Sequence, residues 1–283
     1  MSHFCSVSVA GDESPLDGTL RKVHIFKAPP HGPEEASVLT ALISDIHANR
    51  EALAAVLSHI RSTGADRIAV LGDIVGYGAD PAYCIDAVRQ LEAEGAIVLK
   101  GNHDEAAAGA DNDMSGTAQA AIAWTRERIG PEEKAWLAGL PLSCAEPDLL
   151  LVHANGWHPQ GWGYIRTAQE AERSMRRTAQ RLTFCGHTHQ PSVFHMSANR
   201  PASLFVPVTG VAIPLIETRQ WLAITPAVGQ PRDGNRAAGY VLFDDVRREI
   251  MYQRVPYDCE TASRKILAAG LPASLAERLL KGQ

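Results

Sequence analysis

No Cys-x-x-Cys pair, no long apolar run and no excess of positive charge occurs in these 283 residues. Each absence removes a class of function. The five cysteines, Cys5, Cys84, Cys144, Cys185 and Cys259, are scattered and odd in number. That argues against a disulfide framework and suits a reducing compartment. Apolar stretches are short and end in Gly, Asp or His, so none reads as a membrane span. The N-terminus lacks the basic start and apolar stretch of a secretory signal, and a cytoplasmic location follows. A net charge of -5 and a pI near 6.1 supply no general attraction for nucleic acid or acidic membranes, leaving only a local basic groove as a route to them. What is present is ordinary: 45% apolar and 21% charged residues, enough for a sizeable core in one large α/β domain or two small ones.

Residues 1–36 hold several Pro and Gly and little periodicity, and read as an N-terminal extension with at most a short strand at Leu20–Phe26. From residue 37 a strand–loop–helix pattern begins. Ser37–Ile43, Arg67–Leu71 and Ala96–Leu99 read as strands. Asn49–Ser62, with Leu53, Val56, Leu57 and Ile60 at helical spacing and Asn49 as cap, and Pro81–Glu94 read as helices. This alternation predicts a sheet with helices on its face. The stretch of about 105–140 is Ala-rich, carries Trp124 and Trp136, and reads as two or three helices forming either a lid or an ordinary helical layer. Strands resume at Leu149–Val152 and Leu182–Cys185 around a helix at Thr167–Thr178. After Gln190, β-rich runs at Ser192–His195, Leu204–Val208, Trp221–Ile224, Tyr240–Phe243 and Glu249–Val255 read as a second, mostly antiparallel sheet. Helices near Cys259–Ala269 and Ala273–Leu280 close the chain.

Five polar clusters stand where predicted strands give way to loops. In Ser44-Asp45-Ile46-His47, one residue separates a carboxylate from an imidazole, a pair suited to Zn, Mn or Fe. Multiple imidazoles argue against a dedicated Mg site. In Gly72-Asp73 the Gly permits a sharp turn and the Asp has two oxygens with which to bridge two cations; alone, it would read as an Asx-turn. Gly101-Asn102-His103-Asp104 offers a neutral oxygen ligand, a proton donor and a carboxylate to orient that donor. His153 ends the apolar run Leu149–Val152, and Gly186-His187-Thr188-His189 presents two imidazoles one residue apart. Cys185, beside that pair, reads foremost as a buried apolar thiol and only secondarily as a ligand. Ligands gathered from the carboxyl ends of several strands are how α/β proteins assemble sites.

Together, D-x-H, G-D, G-N-H-D, a later lone His and G-H-x-H resemble the signature of the calcineurin-like metallophosphoesterase superfamily. A closer resemblance is to its small bacterial and archaeal phosphodiesterase branch. That likeness is carried by Ser44–Asn49, by Leu71-Gly72-Asp73-Ile74-Val75-Gly76-Tyr77-Gly78 and by Gly229-Gln230-Pro231-Arg232-Asp233-Gly234. Ile224-Thr225-Pro226-Ala227 departs from the branch's usual Asn-Pro-Gly-Ser. The resemblance implies a four-layer αββα sandwich of two mixed sheets flanked by helices, spanning residues 37–283. It also implies two divalent or trivalent ions (Mn, Fe or Zn). One would be held by Asp45, His47, Asp73 and His189, the other by Asp73, Asn102, His153 and His187, with Asp73 bridging.

The expected activity is hydrolysis of a small or nucleotide phosphodiester through water activated between the ions. His103 would be the proton donor or transition-state stabiliser, oriented by Asp104, and Arg232 and Tyr77 are candidate substrate contacts. The chain lacks the Arg of the G-D-x-V-D-R-G motif that marks Ser/Thr protein phosphatases. Rival readings are a phosphomonoesterase of the same fold, a catalytically silent protein-binding scaffold, against which the complete ligand set argues, and a nuclease, against which the missing basic stripe argues.

Overall fold

Alternation of side chains along the first strands sets the layering. The structure, a computed structural model, describes residues 37–110, 114 and 116–283. The possible strand at Leu20–Phe26 and the extension 1–36 lie outside the described residues. In β1 (Leu39–Ile43), Leu42 joins one apolar core while Ala41 and Ile43 join another on the opposite face. In β5 (Leu149–Val152), Leu149 and Leu151 share the core of Leu42, and Leu150 and Val152 face a third. Three apolar layers therefore separate four layers of structure: helices, sheet, sheet, helices. Truncating a fully buried side chain of the central layer, Leu42→Ala for example, is expected to cost about 2–5 kcal/mol.

The first sheet runs β3 (Ile97–Val98), β2 (Arg67–Val70), β1, β11 (Ala238–Asp244), β12 (Glu249–Val255), β9 (Ala212–Pro214). The second runs β4 (Ser143–Ala145), β5, β6 (Leu182–Cys185), β10 (Gln220–Ile224), β7 (Ser192–Ser197), β8 (Arg200–Phe205). Here the structure corrects the sequence reading. The strands after Gln190 do not make a sheet of their own: β10 pairs parallel with β6, and β11 pairs antiparallel with β1. Local alternation reports which residues face a core, not which neighbour a strand will pair with. Both sheets are consequently mixed.

Outside the first sheet lie α1 (Arg50–Thr63), α2 (Pro81–Ala93), α3 (Asn102–Ala107), α4 (Gly116–Arg126) and α5 (Pro131–Gly139). α7 (Cys259–Ala268) and α8 (Ala273–Lys281) pack together on this side, α7 against α1. The Asn49 side chain accepts the Ala52 N–H at 3.1 Å and starts α1, and Gly64, at φ 72°, ends it. Ile122, Ile129, Leu137 and Leu140 sit in the same core as the α1 and α2 apolar faces, so the helices of 105–140 pack here as part of that outer layer. α6 (Ala168–Met175) covers the second sheet through Ala171 and Met175. The parallel strands β1, β2 and β3 of one sheet, and β5 and β6 of the other, end at one rim.

Candidate metal centre

At that rim the chain turns so sharply that non-glycine residues enter the left-handed region: Asp45 (φ 55°), His47 (49°), Asp73 (55°), His187 (66°) and His189 (60°). Such conformations are costly for residues with a Cβ and persist only where surrounding structure imposes them. Here backbone bonds across strand ends do so: Asp45 N–H to Gly72 O at 3.0 Å, His47 N–H to Asp73 O at 2.9 Å, and Gly186 N–H to His153 O at 2.9 Å. A side chain at Gly186 would collide with Ser44 and with the Asp45 carboxylate.

The turns bring two ligand groups together. In the first, Asp45, His47, Asp73 and His189 each offer one ligand atom, all within 4.8 Å of one another. His47 Nε2 lies 3.0 Å from His189 Nε2 and 3.6 Å from Asp73 Oδ2, and His189 Nε2 lies 3.3 Å from Asp45 Oδ1. The second group is Asp73, His153 and His187, with His153 Nε2 3.4 Å from Asp73 Oδ2. Asp73 belongs to both.

Each of the four imidazoles donates one ring N–H to a backbone carbonyl, which fixes where its lone pair points. His47 Nδ1 meets Val75 O at 3.2 Å, His153 Nδ1 meets Leu71 O at 2.8 Å, and His189 Nδ1 meets Gln230 O at 2.6 Å. His187 is reversed: its Nε2 meets Trp162 O at 2.9 Å, leaving Nδ1 as the ligand atom. The residues fit cations on two counts. Asp45 and Asp73 are fully buried carboxylates with no Lys or Arg in ion-pair contact among the described residues. Asn102 Oδ1 and His153 Nε2 are buried without a hydrogen-bond partner.

Protonation follows burial and neighbours. Burial lowers His187 to about 3 and takes His47 well below the ordinary range, so both are neutral, as ligands must be. Burial also disfavours charge on His153, but Asp73 outweighs it and raises His153 to about 9. In the metal-free protein, a proton on His153 thus partly offsets the Asp73 charge. Burial opposes ionisation of both carboxylates, yet His189 beside Asp45 and His153 beside Asp73 hold them below the usual range.

Asn102 and His103 open α3, where the His103 N–H bonds Asp73 Oδ1 at 2.8 Å. The His103 ring packs 4.4 Å from the Tyr77 ring and 4.8 Å from that of His47, and its Nδ1 is buried without a partner. Burial lowers it to about 4. Asp104 differs from expectation. Its carboxylate accepts backbone N–H groups from Ile74 at 2.8 Å, Val75 at 3.2 Å and Gly101 at 2.9 Å, rather than a His103 ring proton. It ties the Gly72–Gly78 loop to the start of α3. Burial and the nearby Asp73 charge raise it to about 7.

Arg232 and Tyr77 meet each other. The guanidinium lies 5.6 Å from the Tyr77 ring centroid and bonds Gln230 Oε1 at 2.9 Å, and the Tyr77 ring is 4.6 Å from that of His47. Cys185 belongs to neither ligand group, and burial pushes its thiol up. His59 bonds Tyr240, His158 precedes a short 3₁₀ turn, and His195 packs on Trp221; none is in a ligand group.

Two neighbours had no motif to announce them. Trp162 supplies the carbonyl that fixes His187, packs its ring 5.7 Å from His153, and donates its indole N–H to Glu105 of α3 at 2.8 Å. Tyr164 stacks on His187 at 4.1 Å, with Arg166 over its ring at 3.9 Å. The only signal was a cluster of aromatics (Trp157, Trp162, Tyr164) in a chain with 6% aromatic residues.

Comparison with known proteins agrees with this geometry. Residues 38–242 match the calcineurin-like phosphoesterase superfamily domain. An uncharacterized protein of Methanocaldococcus jannaschii is 36% identical over 251 residues, covering 87% of this chain and 98% of its own length. The crystal structure of a metallophosphoesterase from Sphaerobacter thermophilus is 34% identical with a TM-score of 0.76, covering 88% of this chain and all of that one (100%). A hypothetical protein of Pyrococcus horikoshii has the same fold at 19% identity, with a TM-score of 0.71 and coverage of 87% and 99%.

Proposed function

The chain belongs to the calcineurin-like phosphoesterase superfamily and is a metal-dependent phosphoesterase; from that premise we propose that it hydrolyses a small or nucleotide phosphodiester at a two-ion centre bridged by Asp73. The observation that carries the reading is the membership of Asp73 in both ligand groups. Asp45, His47 and His189 complete one site, and Asn102, His153 and His187 the other. A nitrogen and oxygen donor set with no thiolate suits Mn, Fe or Zn. When bound, the ions supply Lewis acidity toward the phosphoryl oxygens and a water made acidic enough to attack at neutral pH.

The chain's own residues do the rest. The carbonyl-anchored imidazoles hold fixed lone pairs, so little reorganisation accompanies ligand binding. His103, kept neutral by burial, serves as a hydrogen-bond donor to the transferring phosphoryl group or leaving oxygen. Asp104 acts on it indirectly, by fixing the loop and helix start that carry it. Arg232, braced by Gln230 and lying over Tyr77, contacts a substrate phosphate oxygen or its leaving group. A reducing, cytoplasmic setting accords with free thiols at Cys84, Cys144, Cys185 and Cys259. No helix among the described residues is long and apolar enough to cross a membrane.

The test is hydrolysis of bis-p-nitrophenyl phosphate and p-nitrophenyl phosphate by metal-stripped protein with Mn, Fe, Zn or Mg restored singly. Faster turnover of the diester, with His103→Ala lowering kcat while both ions stay bound, is the expected result. Preference for the monoester would make the protein a phosphatase instead. No turnover with two ions bound would return the scaffold reading.

A further inference from the structure

The open side of the sandwich differs from the rest of the surface. The sixteen residues from Pro201 to Ile216 contain no Asp, Glu, Lys or Arg, in a chain that is 21% charged. They run along the free edge of both sheets, β8 ending one and β9 the other. Phe205 and Ile213 turn inward onto the core between the sheets. Their neighbours face out: Leu204 is 47% exposed, Val206 70%, Val208 65%, Val211 51% and Ile216 49%. Five of the eleven exposed large apolar side chains among the described residues thus fall in this one stretch. Such concentration marks an interaction surface, whereas single exposed apolar residues do not.

Sheet edges are ordinarily blunted by charge, proline or a covering element. The first half of β8 is covered, since Glu172 of α6 accepts the Ala202 N–H at 3.1 Å. Beyond it no charge intervenes. Pro201 in β8 and Pro214 in β9 remove N–H donors, which hinders strand-on-strand extension and leaves side-chain packing.

We propose that the Leu204–Ile216 face is the interface of a twofold homodimer, occupied by the same face of a second copy of this chain. A twofold axis sets a patch against itself, and an uncharged patch is complementary to itself; a basic or acidic partner would find nothing to pair with. The area also agrees. Five residues at these exposures present roughly 450 Å² of largely apolar surface, the size of a functional patch. A standard interface buries about 800 Å² per partner, a little over half of it apolar. The closed symmetry and the edge prolines together limit the assembly to two chains.

Light scattering on the full-length protein during gel filtration tests this at about 1–50 μM. The expected mass is twice the 30.5 kDa of the chain, falling to one chain in Val206→Lys. Leu267→Lys, at another exposed apolar position, leaves the dimer intact. Hydrogen exchange on the unmodified protein covers the case in which Val206→Lys does not fold. Amides of residues 204–216 are then expected to gain protection as concentration rises, more than any other surface segment. A wild-type monomer throughout that range, a dimer indifferent to Val206→Lys, a larger open assembly, or concentration-independent exchange at 204–216 would each overturn the proposal.

Discussion

The two ligand groups share Asp73 but are braced differently. In the first, His47 and His189 are anchored by Val75 O and Gln230 O, carbonyls of loops bonded directly to strand ends. Gly229 N–H bonds Asp45 O at 2.8 Å, and Val228 N–H bonds Ser44 O at 2.9 Å, so Gly229–Gly234 is stitched to the end of β1. In the second group His153 is likewise anchored at a strand end, on Leu71 O, but His187 is anchored by Trp162, which lies in the 155–166 loop and is itself held by Glu105. Two buried side-chain atoms without a hydrogen-bond partner also lie on this side: His153 Nε2, of the second group, and Asn102 Oδ1, the oxygen proposed to complete it. One site is therefore a product of the sheets, while the other depends on a loop being clasped to a helix. The second ion should be the weaker and the more exchangeable.

The largest expected effect removes the distinction. Asp73→Asn strips the shared ligand, so both ions should weaken and kcat on bis-p-nitrophenyl phosphate should fall about a thousandfold or more. Metal analysis on the desalted variant shows whether both are lost. Next, Glu105→Ala should release Trp162 and weaken one ion about 10–100-fold, as loss of outer-shell support commonly does, leaving the other unchanged. Glu105→Gln keeps an acceptor for the indole and should restore binding. Calorimetric titration reads both; equal weakening of the two ions would erase the comparison.

Protons sharpen it further. His153 is held protonated up to about 9 in the metal-free protein, whereas a ligand imidazole must be neutral. Below that pH, binding at the second group displaces a proton. Its apparent affinity should fall about tenfold per pH unit on acidification, and proton release should appear as a buffer-dependent binding enthalpy. The smallest effect is a control at the far end of β5. Burial opposes the charge of Asp148, but Arg181 at 2.8 Å and Arg248 at 2.7 Å outweigh it and hold its carboxyl below the usual range. A depressed pKa contributes stability above the unfolded value that is lost as pH falls through the folded one. Because the pair is partly exposed, Asp148→Asn should cost no more than about 1 kcal/mol by denaturant titration, and neither ion should change.

The polar clusters of the sequence come together in the fold because motif and strand end coincide. β5 and β6 begin and end where the apolar runs do, and β1 and β2 run straight into Asp45 and Asp73. Sheet partition was illegible, since β10 and β11 are both continuous apolar runs, buried on both faces, yet join different sheets. β8 lies at Arg200–Phe205 rather than Leu204–Val208 because Pro207 cannot donate to a ladder, while an edge strand tolerates the polar residues before it. Three-residue strands such as β4 and β9 carry too little pattern to detect. Asp104 reads in sequence as a partner for the adjacent His103, but two of its three backbone donors, Ile74 and Val75, come from a loop distant in sequence. Trp162 fixes His187 through its carbonyl, which any residue type possesses, so no motif marks that contact.

The proposed chemistry turns on a pair of ions sharing Asp73. Electron paramagnetic resonance during Mn²⁺ titration of the metal-stripped protein tests it most directly. Two Mn per chain and an exchange-coupled dimanganese spectrum that Asp73→Asn abolishes are expected. A single Mn per chain, or two giving only uncoupled six-line signals, would contradict it.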